Sequence, residues 1–164
     1  TYDEIGNPLS YRGMTFTWEG RRLATAAKGT TNVSYEYNEN GIRKSKTVGT
    51  ETTEYFLDGS TIIALKKGSD VLWFLYDADG QRVGFTYNDT PYLYLYNATG
   101  DVMAIVDAMM VPVVEYTYDA WGKVLSVNGS AAGTIGIRNP FRYVAMIPMR
   151  KPGSILSVAQ KLKI

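Results

Sequence analysis

The 164-residue sequence contains no cysteine and no histidine. That removes disulfide frameworks, thiolate or imidazole metal sites, and Ser-His-Asp or Cys-His catalysis from consideration. Leucine, normally the commonest residue, occurs 11 times and is outnumbered by 13 tyrosines. Long apolar runs are also missing. The best, residues 102–114, is broken by Asp107 and Pro112 and falls short of the roughly 18 residues a membrane helix needs. The opening TYDEIGNPLS has neither the basic n-region nor the apolar h-region of a signal peptide. It begins inside a repeat, so the chain reads as a piece of something longer. A hydrophobic fraction of 45% fits a folded chain rather than a disordered one.

Acids are absent from one end. All sixteen lie at or before Asp119, so the first 119 residues carry −6 and residues 120–164 carry +7. Such asymmetry can signal a basic tail for nucleic acid or membrane. The blander reading, a tail that is simply another kind of sequence, is preferred here.

What is present is a repeat. An aromatic, any residue, an aromatic, Asp or Asn, a short polar turn and Gly recur as YEYNENGIRKS from Tyr35, LYDADGQRVGF from Leu75, YLYNATGDVMA from Tyr94 and YTYDAWGKVLS from Tyr116. Looser copies are YDEIGNPL from Tyr2, FTWEGRRLA from Phe16 and YFLDGSTIIAL from Tyr55. The turn glycines Gly6, Gly20, Gly41, Gly59, Gly80, Gly100 and Gly122 are spaced 14, 21, 18, 21, 20 and 22 residues apart. A near-constant period of this kind marks a repeat architecture.

The unit has a direct physical reading. Tyr35/Tyr37, Tyr94/Tyr96 and Tyr116/Tyr118 stand at i, i+2, so each pair shares one face of a strand. Tyr55 and Tyr76 hold matching positions. Asn38, Asp77, Asn97 and Asp119 then hydrogen-bond the turning backbone, and Gly41, Gly80, Gly100 and Gly122 supply positive φ. A second strand follows, as in residues 81–87 or 102–106, which makes the unit a β-hairpin. One hairpin is marginal in water; stacked hairpins bury a continuous aromatic core. The tyrosines therefore read as packing residues. No helix is expected within residues 1–140, and residues 107–111 read as a loop between units. A short helix is expected over residues 154–163, capped by Ser154.

The spacing Y-x-Y-D-x-x-G-x resembles that of YD repeats, found in bacterial Rhs and wall-associated proteins, insecticidal toxin complexes and animal teneurins. LYDADGQRVGF and YTYDAWGKVLSV are the closest copies. The stretch from Tyr118 to Tyr143, ending NPFRY, is similar to the start of the Rhs-associated core. The resemblance implies a long β ribbon spiralling into a hollow shell that, in secreted toxins, encloses a variable C-terminal effector. Some members carry an aspartyl self-cleavage site well beyond NPFRY. No such motif occurs here, so no protease residue is transferred.

After Tyr143 the family pattern would continue approximately RGYDTDAETGLYYL, whereas this chain reads VAMIPMRKPGSILSVAQKLKI. With freely chosen codons, deleting one base after the Tyr143 codon converts the family text into the eleven residues Val144 to Ser154. Residues 144–164 are therefore expected to be a frameshifted read-out of the core, which also accounts for the basic end. A plus-one frame lacking a DTDAETGLY-like stretch in the gene would disprove this.

Other chemistry is weak. Asp77-Ala78-Asp79-Gly80 opens like a Ca²⁺ loop, but its twelfth position is Asn88 rather than a bidentate Glu. Carboxylate pairs such as Asp77/Asp79 and Glu36/Glu39 sit in expected turns, without the pocket that acid–base work requires. The sequons at Asn32, Asn88, Asn97 and Asn128 would accept glycans in a eukaryotic secreted protein; the bacterial resemblance favours plain turn asparagines. No phosphate-binding Gly motif and no aromatic-interleaved basic stripe occurs.

The expectation is an all-β chain of tandem hairpins forming a curved, spiralling antiparallel sheet, with a short C-terminal helix. Residues 1–115 are YD hairpins, 116–143 the start of the core segment and 144–164 a divergent basic tail. The expected role is a non-enzymatic wall or spacer of a secreted or surface-exposed bacterial protein, without cofactor or metal. Its partners would be the parent's other repeats, or copies of itself through open strand edges. A glycan bound by exposed Tyr or Trp is the alternative; nucleic acid and a membrane span are not expected.

Overall fold

The computed structural model describes residues 1–143. The frameshift reading, the expected helix over 154–163 and any capping by the tail lie outside these residues. The described chain is almost entirely antiparallel β-structure and forms two compact units, one over Thr1–Ser69 and one starting at Asp70.

The first unit contains β1 (Ser10–Tyr11), β2 (Met14–Glu19), β3 (Arg22–Lys28), β4 (Thr31–Tyr37), β5 (Arg43–Val48), β6 (Glu51–Asp58) and β7 (Thr61–Lys67). Each pairs antiparallel with its chain neighbour. The second contains β8 (Asp70–Tyr76), β9 (Arg82–Tyr87), β10 (Thr90–Tyr96), β11 (Val102–Val106), β12 (Pro112–Tyr118) and β13 (Val124–Asn128), likewise paired in order. A one-turn helix, α1 (Ile135–Arg138), follows.

Alternation decides which face is covered. In β4 Val33 and Tyr35 are buried while Asn32 and Glu36 are exposed, as the two-residue period of a half-buried strand requires. The first unit's core joins Met14, Phe16, Leu23, Ala26, Val33 and Tyr35, with Trp18 and Tyr37 packed against it. The second buries Leu72, Phe74, Phe85, Tyr94, Ile105, Val114, Tyr116 and Phe141. Fully buried side chains of this size contribute about 1.5–3 kcal/mol each before entropy is counted. The opposite face is held partly by hydroxyl pairs in register: Thr17 with Thr25 at 2.6 Å, Thr47 with Thr52 at 2.9 Å and Thr117 with Ser126 at 2.8 Å.

The single glycine period of the sequence resolves into two kinds of turn. Gly20 and Gly59 open two-residue turns with φ of 59° and 56°, the position glycine takes in type II′ hairpins, which suit the right-handed strand twist. Gly6, Gly41, Gly80, Gly100 and Gly122 instead close five-residue turns. In the Asp77 turn, Asp77 N–H donates to the Gln81 carbonyl at 2.9 Å and Gly80 N–H to the Asp77 carbonyl at 3.1 Å. Asp77 Oδ1 accepts from Asp79 and Gln81 N–H at 3.0 and 2.8 Å. The side-chain oxygen thus serves the turn's otherwise orphaned donors. Asn97 makes the same pair of bonds, which explains why Asp and Asn interchange here.

Residues 107–111, expected as a loop between units, form a sixth turn of this kind. Asp107 Oδ1 accepts from Met109 and Val111 N–H at 2.9 and 3.0 Å. Met110 stands where the glycine belongs, at φ 62°. A side chain there costs roughly 1–2 kcal/mol, and Met110 is 57% exposed, so little packing offsets the cost. Met110→Gly is expected to raise stability by about 0.5–1 kcal/mol after the entropic cost of glycine, read as a higher urea midpoint at unchanged slope.

The helix α1 falls where the sequence reading expected none. It is only four residues long, too short for a 3.6-residue pattern to register, and Pro140 follows it closely. A Cβ on Gly136 would meet Val127 and Val114 side chains at 3.0 and 3.1 Å, so glycine lets this turn lie directly on β12 and β13.

Candidate functional site

The residues singled out by the repeat converge on the aromatic face of each unit. Tyr35 and Tyr37 come from β4, Tyr55 from β6, Tyr76 from β8, Tyr94 and Tyr96 from β10, and Tyr116 and Tyr118 from β12. Asn38, Asp77, Asn97 and Asp119 open the turns at the end of β4, β8, β10 and β12, and Gly41, Gly80, Gly100 and Gly122 close them at φ between 75° and 85°.

The second aromatic of each pair links one hairpin to the previous one. The ladder shifts register just before each of these turns, at Thr17/Trp18, Glu36/Tyr37, Leu75/Tyr76, Leu95/Tyr96 and Thr117/Tyr118. Such bulges leave backbone groups without a ladder partner. Leu23, Arg82 and Val102 are the register partners of Trp18, Tyr76 and Tyr96, and Pro8 bridges Tyr2. Their carbonyls accept from the next unit's aromatic. Trp18 Nε1 donates to Pro8 at 2.7 Å and Tyr37 OH to Leu23 at 2.9 Å. Tyr96 OH donates to Arg82 at 2.5 Å and Tyr118 OH to Val102 at 2.6 Å. The polar tip of the aromatic therefore satisfies the backbone that the bulge disturbs.

Arginines complete the layer. Arg43 lies 4.0 Å from the Tyr35 ring centroid, and Arg82 lies 3.2 Å from that of Phe141 and 5.4 Å from that of Tyr76. Both guanidinium Nε atoms are buried without a hydrogen bond, so attraction to the ring faces is what compensates them. The sequence reading missed these residues. Their signal is the recurrence Gly41-x-Arg43 and Gly80-x-Arg82.

Residues 139–143 pack onto the second unit. Asn139, 1% exposed, accepts from Tyr94 OH at 2.7 Å and donates to the Phe141 carbonyl at 2.6 Å. Phe141 meets Phe74 edge-on at 4.7 Å. Arg142 donates to the Gly136 and Ile137 carbonyls at 2.8 and 3.0 Å and sits 5.3 Å from the Tyr116 ring centroid. Tyr143 lies over Gly122, where a Cβ would come within 2.3 Å of its ring, and 5.7 Å from Tyr118. Arg138 pairs with Asp70 at 2.6 Å. Burial pushes the Tyr35, Tyr55, Tyr94, Tyr96, Tyr116 and Tyr118 phenols above the ordinary tyrosine range, so they stay neutral donors at physiological pH.

Chemically the face is spent on itself. The hydroxyls of Tyr37, Tyr94, Tyr96, Tyr116 and Tyr118 all donate within the protein. Among the described residues no group of three or more acidic residues could hold a metal, and no helix is long and apolar enough to cross a membrane.

Against known proteins, no family model matches the chain. The chain is similar to part of the WapA nucleases. It is 36% identical over 138 residues to the tRNA3(Ser)-specific nuclease WapA of Bacillus spizizenii and to the tRNA nuclease WapA of Bacillus subtilis strain 168, covering 79% of this chain in each case. The chain spans about 6% of the length of these curated relatives. The fold matches a crystal structure of TcdB2-TccC3-TEV with TM-score 0.58 at 13% identity, over 81% of this chain and 8% of that one. It also matches the Photorhabdus luminescens Tc holotoxin pore carrying a TccC3 mutation, with TM-score 0.56 at 13% identity, over 87% of this chain and 8% of that one. The likeness to WapA supports an Rhs/YD-repeat protein, and the toxin chains share the fold.

Proposed function

We propose that this chain is a structural wall segment of a secreted or surface-exposed bacterial Rhs/YD-repeat protein, without a catalytic centre of its own. The observation that carries the reading is a link from one hairpin to the one before it, made four times, in which Trp18, Tyr37, Tyr96 and Tyr118 donate to Pro8, Leu23, Arg82 and Val102. A device that joins one repeat to the next lengthens a wall and leaves no reactive group over. The toxin structures matched by the fold support the same reading, as does the similarity to WapA over most of this chain.

The partners are then the neighbouring repeats of a parent protein. In the second unit β13 pairs only with β12 among the described residues. An unpaired strand side is a template for another strand. The isolated chain is therefore expected to self-associate through this edge, read by light scattering as a mass that rises with concentration. It is also expected to leave tRNA intact when incubated with it. A strict monomer at every concentration would remove the open-edge assembly, and tRNA cleavage that co-purifies with the chain would remove the non-enzymatic reading.

The glycan alternative fares worse on geometry. Stacking on sugar needs presented ring faces, and most of the repeat tyrosines are turned into the layer. Trp121, 85% exposed on the Asp119 turn, is the aromatic best placed for it.

A further inference from the structure

The aromatic face of the first unit gathers three cations. Lys46 of β5 is the register partner of Thr53 of β6, and Thr53 is the partner of Lys67 of β7. Lys46, Thr53 and Lys67 therefore form one row on one face. Neighbouring strands lie about 4.8 Å apart, which places the two lysine α-carbons about 10 Å from each other. On the other side Lys46 is partnered by Tyr35, over whose ring the Arg43 guanidinium sits at 4.0 Å. Lys46, Thr53, Lys67 and Arg43 are all half-buried.

Carboxylates balance only one of these cations. Lys67 Nζ meets Glu51 at 2.7 Å. Among the described residues neither Arg43 nor Lys46 has a carboxylate partner, and Arg43 Nε has no hydrogen bond. Burial, then the nearby charges of Arg43 and Lys67, holds the Lys46 ammonium below the ordinary lysine range. Like charges kept together in a partly desolvated setting repel more strongly than in water. The Tyr35 ring offsets part of the Arg43 charge and Glu51 that of Lys67, and an anion seated on the row would relieve the repulsion that Lys46 still feels from both.

We propose that the row Lys46–Thr53–Lys67, with Arg43 beside it, is an oxyanion-binding site that takes a phosphate or carboxylate group. The chemistry fits: two ammonium groups and a guanidinium offer only donors, and the threonine hydroxyl adds one more. Lysine's flexible four-carbon stem lets two ammonium groups converge on one oxyanion from that spacing. Glu51 already shows a carboxylate accepted at one end of the row. The site goes beyond the wall reading and does not rest on it.

The test is a titration of the full chain followed by NMR of the lysine ammonium-side signals, with inorganic phosphate in one arm and tri-glutamate in the other. Saturable shifts are expected at Lys46 and Lys67 and not at Lys66, which lies on the other face. The tighter probe identifies the group as phosphate or polypeptide carboxylate. Lys46→Met is expected to weaken binding about tenfold, the worth of one charge-assisted hydrogen bond, while Lys66→Met leaves it unchanged. No saturable shift with either probe, or undiminished binding in Lys46→Met, would overturn the site. Should Lys46→Met fail to fold, the wild-type shifts still decide, and Thr53→Val is expected to weaken binding several-fold.

Discussion

Replacing Asn139 with Ala is expected to destabilise the protein by about 3–4 kcal/mol, although the residue touches no strand ladder. Its side chain is a buried junction. Oδ1 accepts from Tyr94 OH at 2.7 Å and from Phe141 N–H at 3.2 Å, while Nδ2 donates to the Phe141 carbonyl at 2.6 Å and reaches Tyr116 OH at 3.5 Å. The amide orientation is fixed by its partners, since a backbone N–H can only donate and a carbonyl only accept. Truncation leaves the Tyr94 hydroxyl and both Phe141 backbone groups unpaired in the interior, at about 1–3 kcal/mol for each group left unsatisfied.

Chemical denaturation separates this from a simple loss of packing. Tyr94→Phe removes one bond but leaves Asn139 its backbone partners, so about 1 kcal/mol is expected. In the double mutant the Tyr94 effect should largely vanish, giving a coupling energy of about 1 kcal/mol. An Asn139→Ala variant within 1 kcal/mol of the parent would mean that residues 139–143 do not dock onto the aromatic face as described.

Asn139 also marks where sequence reasoning stops. The aromatic pairs were legible because their i, i+2 spacing is local: it placed β4, β10 and β12 and their turns from residue types alone. The turn at Met110 was hidden because its glycine, the feature being counted, is absent. The aspartate survives there, and its oxygen organises the backbone whichever residue stands three positions on. The period groups Gly20 and Gly59 with the other turn glycines, because a period does not reveal how many residues a turn contains. The link from Tyr37 to Leu23 depends on a register shift, and a shift is a property of two paired strands that neither strand carries alone. Residues 139–143 are further removed: Asn139 and Tyr94 are 45 positions apart, and no local pattern encodes that meeting. The G-x-R recurrence was present in the text, but only the cation over a ring face gives it meaning.

Gly84→Ala is expected to cost about 3 kcal/mol, the upper part of the usual range for overpacking. The residue lies in the middle of β9, opposite Leu75 on one side and Leu93 on the other. It has no positive φ, so backbone conformation is not the reason for glycine. The reason is proximity: a Cβ would stand 2.2 Å from the Tyr92 carbonyl oxygen and 3.1 Å from the Leu93 α-carbon. A carbonyl in a ladder cannot step aside as a flexible side chain does, so β9 and β10 must part. Parting them disturbs Phe85, fully buried beside Gly84 and stacked on Tyr92 at 5.5 Å. Gly80→Ala provides the contrast. Gly80 has φ 77° and open space around its would-be Cβ, so only the left-handed conformation opposes a side chain there, at about 1–2 kcal/mol. If the two variants unfold at the same urea midpoint, the close approach of β9 to β10 is not what glycine is there to permit. If Gly84→Ala loses markedly more, the interior of this strand is set by backbone contact, and the glycine belongs with the aromatic residues as a determinant of the layer.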